Sequence, residues 1–258
     1  MCIISDYVDT VKFTKILAFP SKNGKRQLTV YSNIVSTPNS NVMCLPVPNP
    51  RSVRFEYVPS DIFSQCSKSF NIRNARCGEG CMDSFSSLYN STYKAIVVNS
   101  INELNCQNGF ILTFEVIEFL KATYPNFGFI LCKLKKGNVK YKPFAYSHDI
   151  ENTLFFPTRH YHISIKEEPV WTSFDYVNLN ESKANHIADD WDHELYSIAT
   201  PRWCHESTKV MQHSNKINWD KMPNDFNLNS YVILRCNEKY GYNPNIDIEM
   251  PFQLSLIY

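Results

Sequence analysis

Glycine is scarce in this chain of 258 residues, with only 7, and alanine is little commoner at 8. No glycine-rich phosphate turn follows a strand, and no G-x-S-x-G, P-loop or H-E-x-x-H segment occurs. Doubly wound nucleotide folds and the motif-bearing hydrolases are thereby disfavoured. Charge of one sign is also lacking, since 26 Lys and Arg oppose 25 Asp and Glu for a net charge of +1. Without a global field, nucleic acid and anionic lipid are poor candidates for partners. No apolar run approaches the ~20 residues of a membrane helix. The first ten residues, "MCIISDYVDT", lack the basic stretch of a secretory signal. The expectation is an intracellular protein, not secreted, whose 9 cysteines are mostly buried thiols rather than a disulfide framework.

What the chain does have is aromatic mass. It carries 17 Phe and 15 Tyr within a hydrophobic fraction of 43%, which predicts a packed, aromatic-rich core. It also carries 26 Asn, with Lys, Ile, Tyr and Phe plentiful. These are residues of A/T-rich codons, and they point to the genome of a giant DNA virus, a parasite or an amoeba.

The N-terminal third reads as an antiparallel meander. "TKILAFP" (residues 14–20) precedes Asn23-Gly24, a strong hairpin signal, and "RQLTVYSNIVS" (26–36) alternates in the manner of a strand. "VMCLPVP" (42–48) is a third strand, which its prolines place at an edge or terminate, and residues 54–58 suit a fourth. Residues 59–70 have helical character. "TYKAIVVNS" (92–100) is a buried strand, and Ser100 to Glu103 has the spacing of a capping box. Phe114, Ile117, Leu120 and Tyr124 recur at helical spacing before Pro125. "FGFILCKLK" and "VKYKPFAYSH" should pair as a hairpin across Lys136-Gly137-Asn138, with "TLFFPTRHYHISI" continuing as strand. The fold class expected is α+β, a single domain over residues 1–258 that is mostly antiparallel sheet with a few short helices. Its C-terminal portion, 165–258, reads as less regular.

In order and content, "RQLTVYSNIVS…NVMCLPVPNPRSV" followed by "FGFILCKLKKG…KYKPFAYSH…LFFPTRHYH" resembles an uncharacterised protein family of mimivirus-type giant viruses and scattered microbes. More distantly it is similar to a bacterial domain of unknown function with a VPVP-type strand. The likeness spans most of residues 1–163. It implies the same α+β fold and a viral source, and it names no reaction.

Three constellations carry potential chemistry. His160 and His162 share a face on a strand, while "ADDWDHELY" (188–196) places Asp190 and His193 on one face of a helix. Together these four would suit Zn²⁺ or Fe²⁺. The plainer reading makes Asp189 and its neighbours the acidic first turn of a helix whose buried stripe is Trp191, Leu195 and Ile198. Cys2, once Met1 is removed, would join a thiol to a free amine as in N-terminal-nucleophile hydrolases, with Arg26, Asn33 and Asn99 as polar helpers. The "CGEGC" loop, Cys77 to Cys81 with Cys66 upstream, reads better as a compact structural turn than as a zinc or redox site. A basic run, Lys133 to Lys142, with Tyr141 and Phe144, is the one candidate contact for nucleic acid, and a solvated hairpin explains it better.

The preferred reading is a non-catalytic protein-binding or structural protein whose aromatic-rich sheet faces a protein partner. The alternatives are a hydrolase, metal-assisted or thiol-based, and a weak nucleic-acid binder. No cofactor is expected on the preferred reading, and Zn or Fe on the metal-assisted one.

Overall fold

The computed structural model describes residues 3–69, 91–106, 109–159, 161–162, 193–198, 208–211, 216–228, 234–239 and 247–251. Its centre is the expected hairpin. Strands β2 (Thr10–Pro20) and β3 (Arg26–Thr37) pair antiparallel from Pro20↔Gln27 to Thr10↔Ser36. Their turn closes because Gly24 adopts φ 70°, a backbone conformation open to glycine at no steric cost. The Asn23 side chain accepts from the Lys25 N–H at 3.0 Å and from the Ser21 hydroxyl at 2.7 Å.

The third strand does not extend this meander. β4 (Asn41–Val47) leaves for a second sheet, between β1 (Ile3–Ile4) and β7 (Gly128–Leu134), with β6 (Lys94–Val98) beyond β7. The short β1 covers only Met43 and Cys44, so Pro46 pairs on one side alone, with Phe129, and the strand stops before Pro48. In the larger sheet, β8 (Gly137–Lys140) and β9 (Phe144–Asp149) both pair with β3, and β5 (Arg54–Glu56) pairs with β9.

The hairpin expected across Lys136-Gly137-Asn138 therefore does not form: its two arms belong to different sheets. The cause lies in burial. Phe129 and Leu131 pack on one side of β7 and Ile130, Cys132 and Leu134 on the other, so the strand needs cover on both faces and ladder partners on both edges. β4 and β6 supply the edges. Tyr141 pins the crossing, since its hydroxyl accepts the Lys135 N–H at 2.7 Å and its own N–H donates to the Asn33 carbonyl.

Four layers result. Between the sheets lie Ile16, Ala18, Tyr31 and Tyr146 from the large one and Met43, Leu45, Val47 and Ile130 from the small one. The outer face of the large sheet, with Leu17, Phe19, Leu28 and Val30, is covered by α1 (Ile62–Ser69) and by two 3-10 turns carrying Trp219 and Phe226. The outer face of the small sheet takes α2 (Phe114–Thr123) and a 3-10 turn at Ile101–Cys106. That turn begins as the sequence suggests: the Glu103 carboxylate accepts from the Asn99 N–H and the Ser100 hydroxyl. The aromatic core is real, with Tyr31, Tyr141, Tyr146, Phe19, Phe129, Phe156 and Phe226 all fully buried. At Gly128 nothing larger fits, because a methyl group there would sit 2.5 Å from the Val98 carbonyl oxygen and 2.3 Å from Pro50 Cβ.

The remaining described strands extend this frame. β11 (His193–Ile198) lies parallel to β2, His193 opposite Thr14, with β13 (Leu234–Lys239) and β12 (Thr208–Met211) outside it. β10 (Thr153–Phe156) pairs with β14 (Ile248–Pro251) as a separate ribbon. No helix among the described residues is long and apolar enough to cross a membrane. The fold is thus mostly antiparallel sheet with few short helices, in the α+β class expected.

Candidate protein-docking surface

The polar constellations are dispersed or lie outside the described residues. Cys2, His160, Asp190, Cys77 and Cys81 fall outside them. The helix expected through "DDWDHELY" is corrected: His193–Ile198 is strand β11. Asp189 to Asp192, with Trp191, lie outside the described residues. β2 and β13 each offer β11 a ladder of five or more residues, and that outweighs a local preference for helix.

His162 follows Tyr161, which bridges Ile3 beside the small sheet, while His193 belongs to the large one. Burial, and then the positive N-terminal amine, lower the His162 pKa to about 4. Among the described residues no three His, Cys, Asp or Glu side chains gather in a way that would hold a metal ion. The proposed helpers of Cys2 have structural duties. Arg26 pairs with Asp149 and donates to the Ser52 carbonyl and the Ser147 hydroxyl, and Asn33 accepts from the Tyr93 hydroxyl.

Three cysteines among the described residues, Cys44, Cys66 and Cys132, are buried. Cys44 and Cys132 lie on opposite faces of the small sheet, and burial pushes both thiols well above their ordinary pKa. In alkylation followed by peptide mapping, all three should stay unlabelled in the native chain and react only after unfolding. Labelling of Cys132 at the rate of a free peptide thiol would contradict this.

What the structure does expose is apolar. Four large hydrophobic residues stand out among those described: Phe55 (50% exposed), Tyr57 (79%), Ile111 (81%) and Phe114 (71%). Phe114 was expected in the buried stripe of α2, but Val116 takes its place beside Ile117 and Leu120. The reason is that Phe114 is the first helical residue. The Thr113 N–H and hydroxyl before it are held by the Ser5 hydroxyl and carbonyl at 2.8 and 2.9 Å, which turns the entry outward.

Phe55 and Tyr57 lie on and just past β5, the last strand of the large sheet. β5 is held rigidly from behind. The Glu56 carboxylate accepts from the Ser147 hydroxyl at 2.7 Å, and Ser147 in turn accepts from Arg26 at 2.8 Å. The Ser52 hydroxyl accepts the Asp149 N–H at 2.8 Å. Phe55 begins a column of rings that runs inward: 5.5 Å to Phe144, 5.8 Å from there to Tyr93, then 4.2 Å to the stacked ring of Tyr141. An exposed aromatic edge backed by a fixed column is pre-organised, so a partner would lose little side-chain freedom on meeting it.

Sequence reasoning gave residues 54–58 as a strand and missed its role. The signal was available in part: two large aromatics, Phe55 and Tyr57, stand on and just past a strand of only 3 residues.

The fold and this surface define a two-sheet α+β protein, sandwich-like, with an apolar aromatic edge. It is similar to the crystal structure of baculovirus P35, with a TM-score of 0.56 at 13% sequence identity, over 97% of this chain and 99% of that one. No family profile matches the sequence, and no curated protein matches it significantly.

Proposed function

We propose that this chain is a non-catalytic protein-binding protein of viral origin, and that the β5 edge is its docking surface. The observation that carries the reading is the pair Phe55 and Tyr57, half or more exposed, the first on and the second just past a strand with a neighbour on one side only among the described residues. Such edges pair readily with another chain, and proteins that leave them apolar do so where a partner binds. A viral source is supported by the A/T-rich residue usage and by the fold likeness to a viral protein. The giant-virus assignment rests on the sequence resemblance. Buried thiols at Cys44 and Cys132, outside any disulfide, suit a reducing, intracellular compartment.

The test compares wild type with the Phe55→Ser/Tyr57→Ser double variant, each immobilised and exposed to host-cell extract. Wild type should retain a protein in stoichiometric amount, and the double variant should retain it at least about 10-fold less, as expected when central aromatic anchors are removed. Both changes are at exposed positions, so the melting temperature should move by no more than about 2 °C. Equal retention by the two chains would refute the reading.

A further inference from the structure

Asn23-Gly24, which closes the central hairpin, is also a chemically labile pair. In an open chain the Gly24 nitrogen can attack the Asn23 side-chain carbonyl carbon, and glycine has no side chain to hinder it. The folded turn engages the same atoms in hydrogen bonds. The Gly24 N–H donates to the Ser21 carbonyl at 2.9 Å, which makes residues 21–24 a β-turn with glycine last. Asn23 Oδ1 accepts from the Ser21 hydroxyl at 2.7 Å and from the Lys25 N–H at 3.0 Å. Ser21 is buried, and its hydroxyl also accepts the Arg26 N–H at 3.1 Å. From outside, the Lys22 N–H donates to the Asp225 carbonyl at 2.9 Å, which ties the turn to the segment carrying Phe226.

We infer that Asn23 is a site of spontaneous covalent modification, a deamidation, and that the turn itself is the gate. The step forms a bond from Gly24 N to Asn23 Cγ and breaks the bond from Cγ to Nδ2. The Gly24 proton leaves to hydroxide, and the departing nitrogen takes one up from water as ammonia. Water then opens the resulting succinimide to aspartate or isoaspartate. Attack needs the Gly24 proton removed and the peptide plane turned, so it is blocked while that N–H closes the turn. Product therefore accumulates with the time the turn spends open. Isoaspartate makes the opening permanent, because the main chain then runs through the former side-chain carbon and gains an atom. The pairing that starts at Pro20↔Gln27 would be fed by a loop of the wrong length.

The test holds the full chain at mildly alkaline pH, folded in buffer and unfolded in guanidinium chloride. Peptide mapping follows the gain of one mass unit at Asn23, and isoaspartyl methyltransferase reads the isoaspartate branch. The unfolded chain should react at Asn23 as a short Asn-Gly peptide does, and the folded chain at least about 10-fold more slowly. Ser21→Ala takes the hydroxyl from both Asn23 and Arg26, so it should raise the folded rate several-fold and leave the unfolded rate unchanged. Gly24→Ala, compared in the unfolded chain alone, should slow the step, because a methyl group crowds the attacking nitrogen. Equal rates in folded and unfolded wild type overturn the inference, as does an unfolded chain that keeps Asn23 intact. A Ser21→Ala chain that is folded by circular dichroism yet reacts at the wild-type folded rate overturns the turn as the gate. Should Ser21→Ala not fold, the two wild-type rates decide alone.

Discussion

Replacing Asp247 by alanine should destabilise the fold by about 3 kcal/mol and lower its melting temperature by roughly 6–12 °C. Asp247, just before β14, is a nearly buried carboxylate with three tasks. Its Oδ2 accepts from the Tyr124 hydroxyl at 2.5 Å, its Oδ1 accepts the Arg159 N–H at 3.0 Å, and the Arg159 guanidinium approaches to 3.8 Å. It thereby ties a segment late in the chain to the end of α2 and to the stretch after β10. Burial pushes the Asp247 pKa up against these partners, which pull it down, and burial with the facing carboxylate also raises Tyr124. Alanine would leave the Tyr124 phenol and the Arg159 N–H without their acceptor and the Arg159 guanidinium without its facing charge, so the loss exceeds that of one ordinary hydrogen bond. Tyr124→Phe keeps the ring packed against Phe127 and Phe129 and should cost only about 1–2 kcal/mol. The double variant should cost less than the sum, because both changes remove the same contact. A thermal scan in which Asp247→Ala matches wild type would show that the clasp holds nothing.

Acid should unfold this protein well above the range in which carboxylates titrate. His148 on β9 is buried beside Tyr146. Its Nδ1 lies 3.1 Å from the Asp149 carbonyl oxygen, and its Nε2 has no hydrogen-bond partner. Burial is the main cause that lowers its pKa to about 4, with the Arg26 charge adding to it, and His162 is lowered to about 4 by burial and the N-terminal amine. Both folded pKa values lie below the unfolded value of ~6.5. Between those limits the unfolded chain binds more protons, so stability is intact above about pH 6.5 and is lost as pH falls towards 4. Each imidazole can cost about 3 kcal/mol across that window, a large share of the stability of a typical domain. Asp247 works in the opposite sense, since a raised carboxyl takes up its proton first in the folded state. Two imidazoles against one carboxyl still leave a net loss. Urea midpoints measured at pH 7, 6, 5 and 4.5 should fall steeply. His148→Gln, which cannot be protonated, should flatten the slope by about half. A midpoint independent of pH over this range would rule the mechanism out.

Local signals in the sequence were read well where a single segment decides the outcome. The Asn23-Gly24 hairpin, the Ser100/Glu103 cap and the stop of α2 before Pro125 all follow from chemistry within a few residues. Pairing partners were not legible, because neighbours in the sequence compete with distant strands for the same edge. β7 and β9 look like two arms of a hairpin, yet β7 needs cover on both faces and finds it with β4 and β6. Likewise "DDWDH" has good cap chemistry, but the open edge of β2 draws His193 onward into strand. The candidate surface was half legible. Residues 54–58 show two large aromatics close together, but nothing near Phe114 reveals that Ser5, over a hundred positions earlier, holds the residue before it. Asp247 gave no local sign at all, since its value comes from Tyr124 and Arg159.

The parallel pairing of β11 with β2 has a consequence for synthesis. β2 and β3 can close as soon as residue 37 is free, but the other side of β2, along Thr14 to Ala18, has its partner only when residues 193–198 have been made. At about 5–20 residues per second, a ribosome takes roughly 8–32 s to cover that interval. For all of it the growing chain carries a half-finished sheet with an open ladder, able to pair with any other nascent strand nearby. Completion of this sheet is therefore timed by translation rather than by the speed of the hairpin itself.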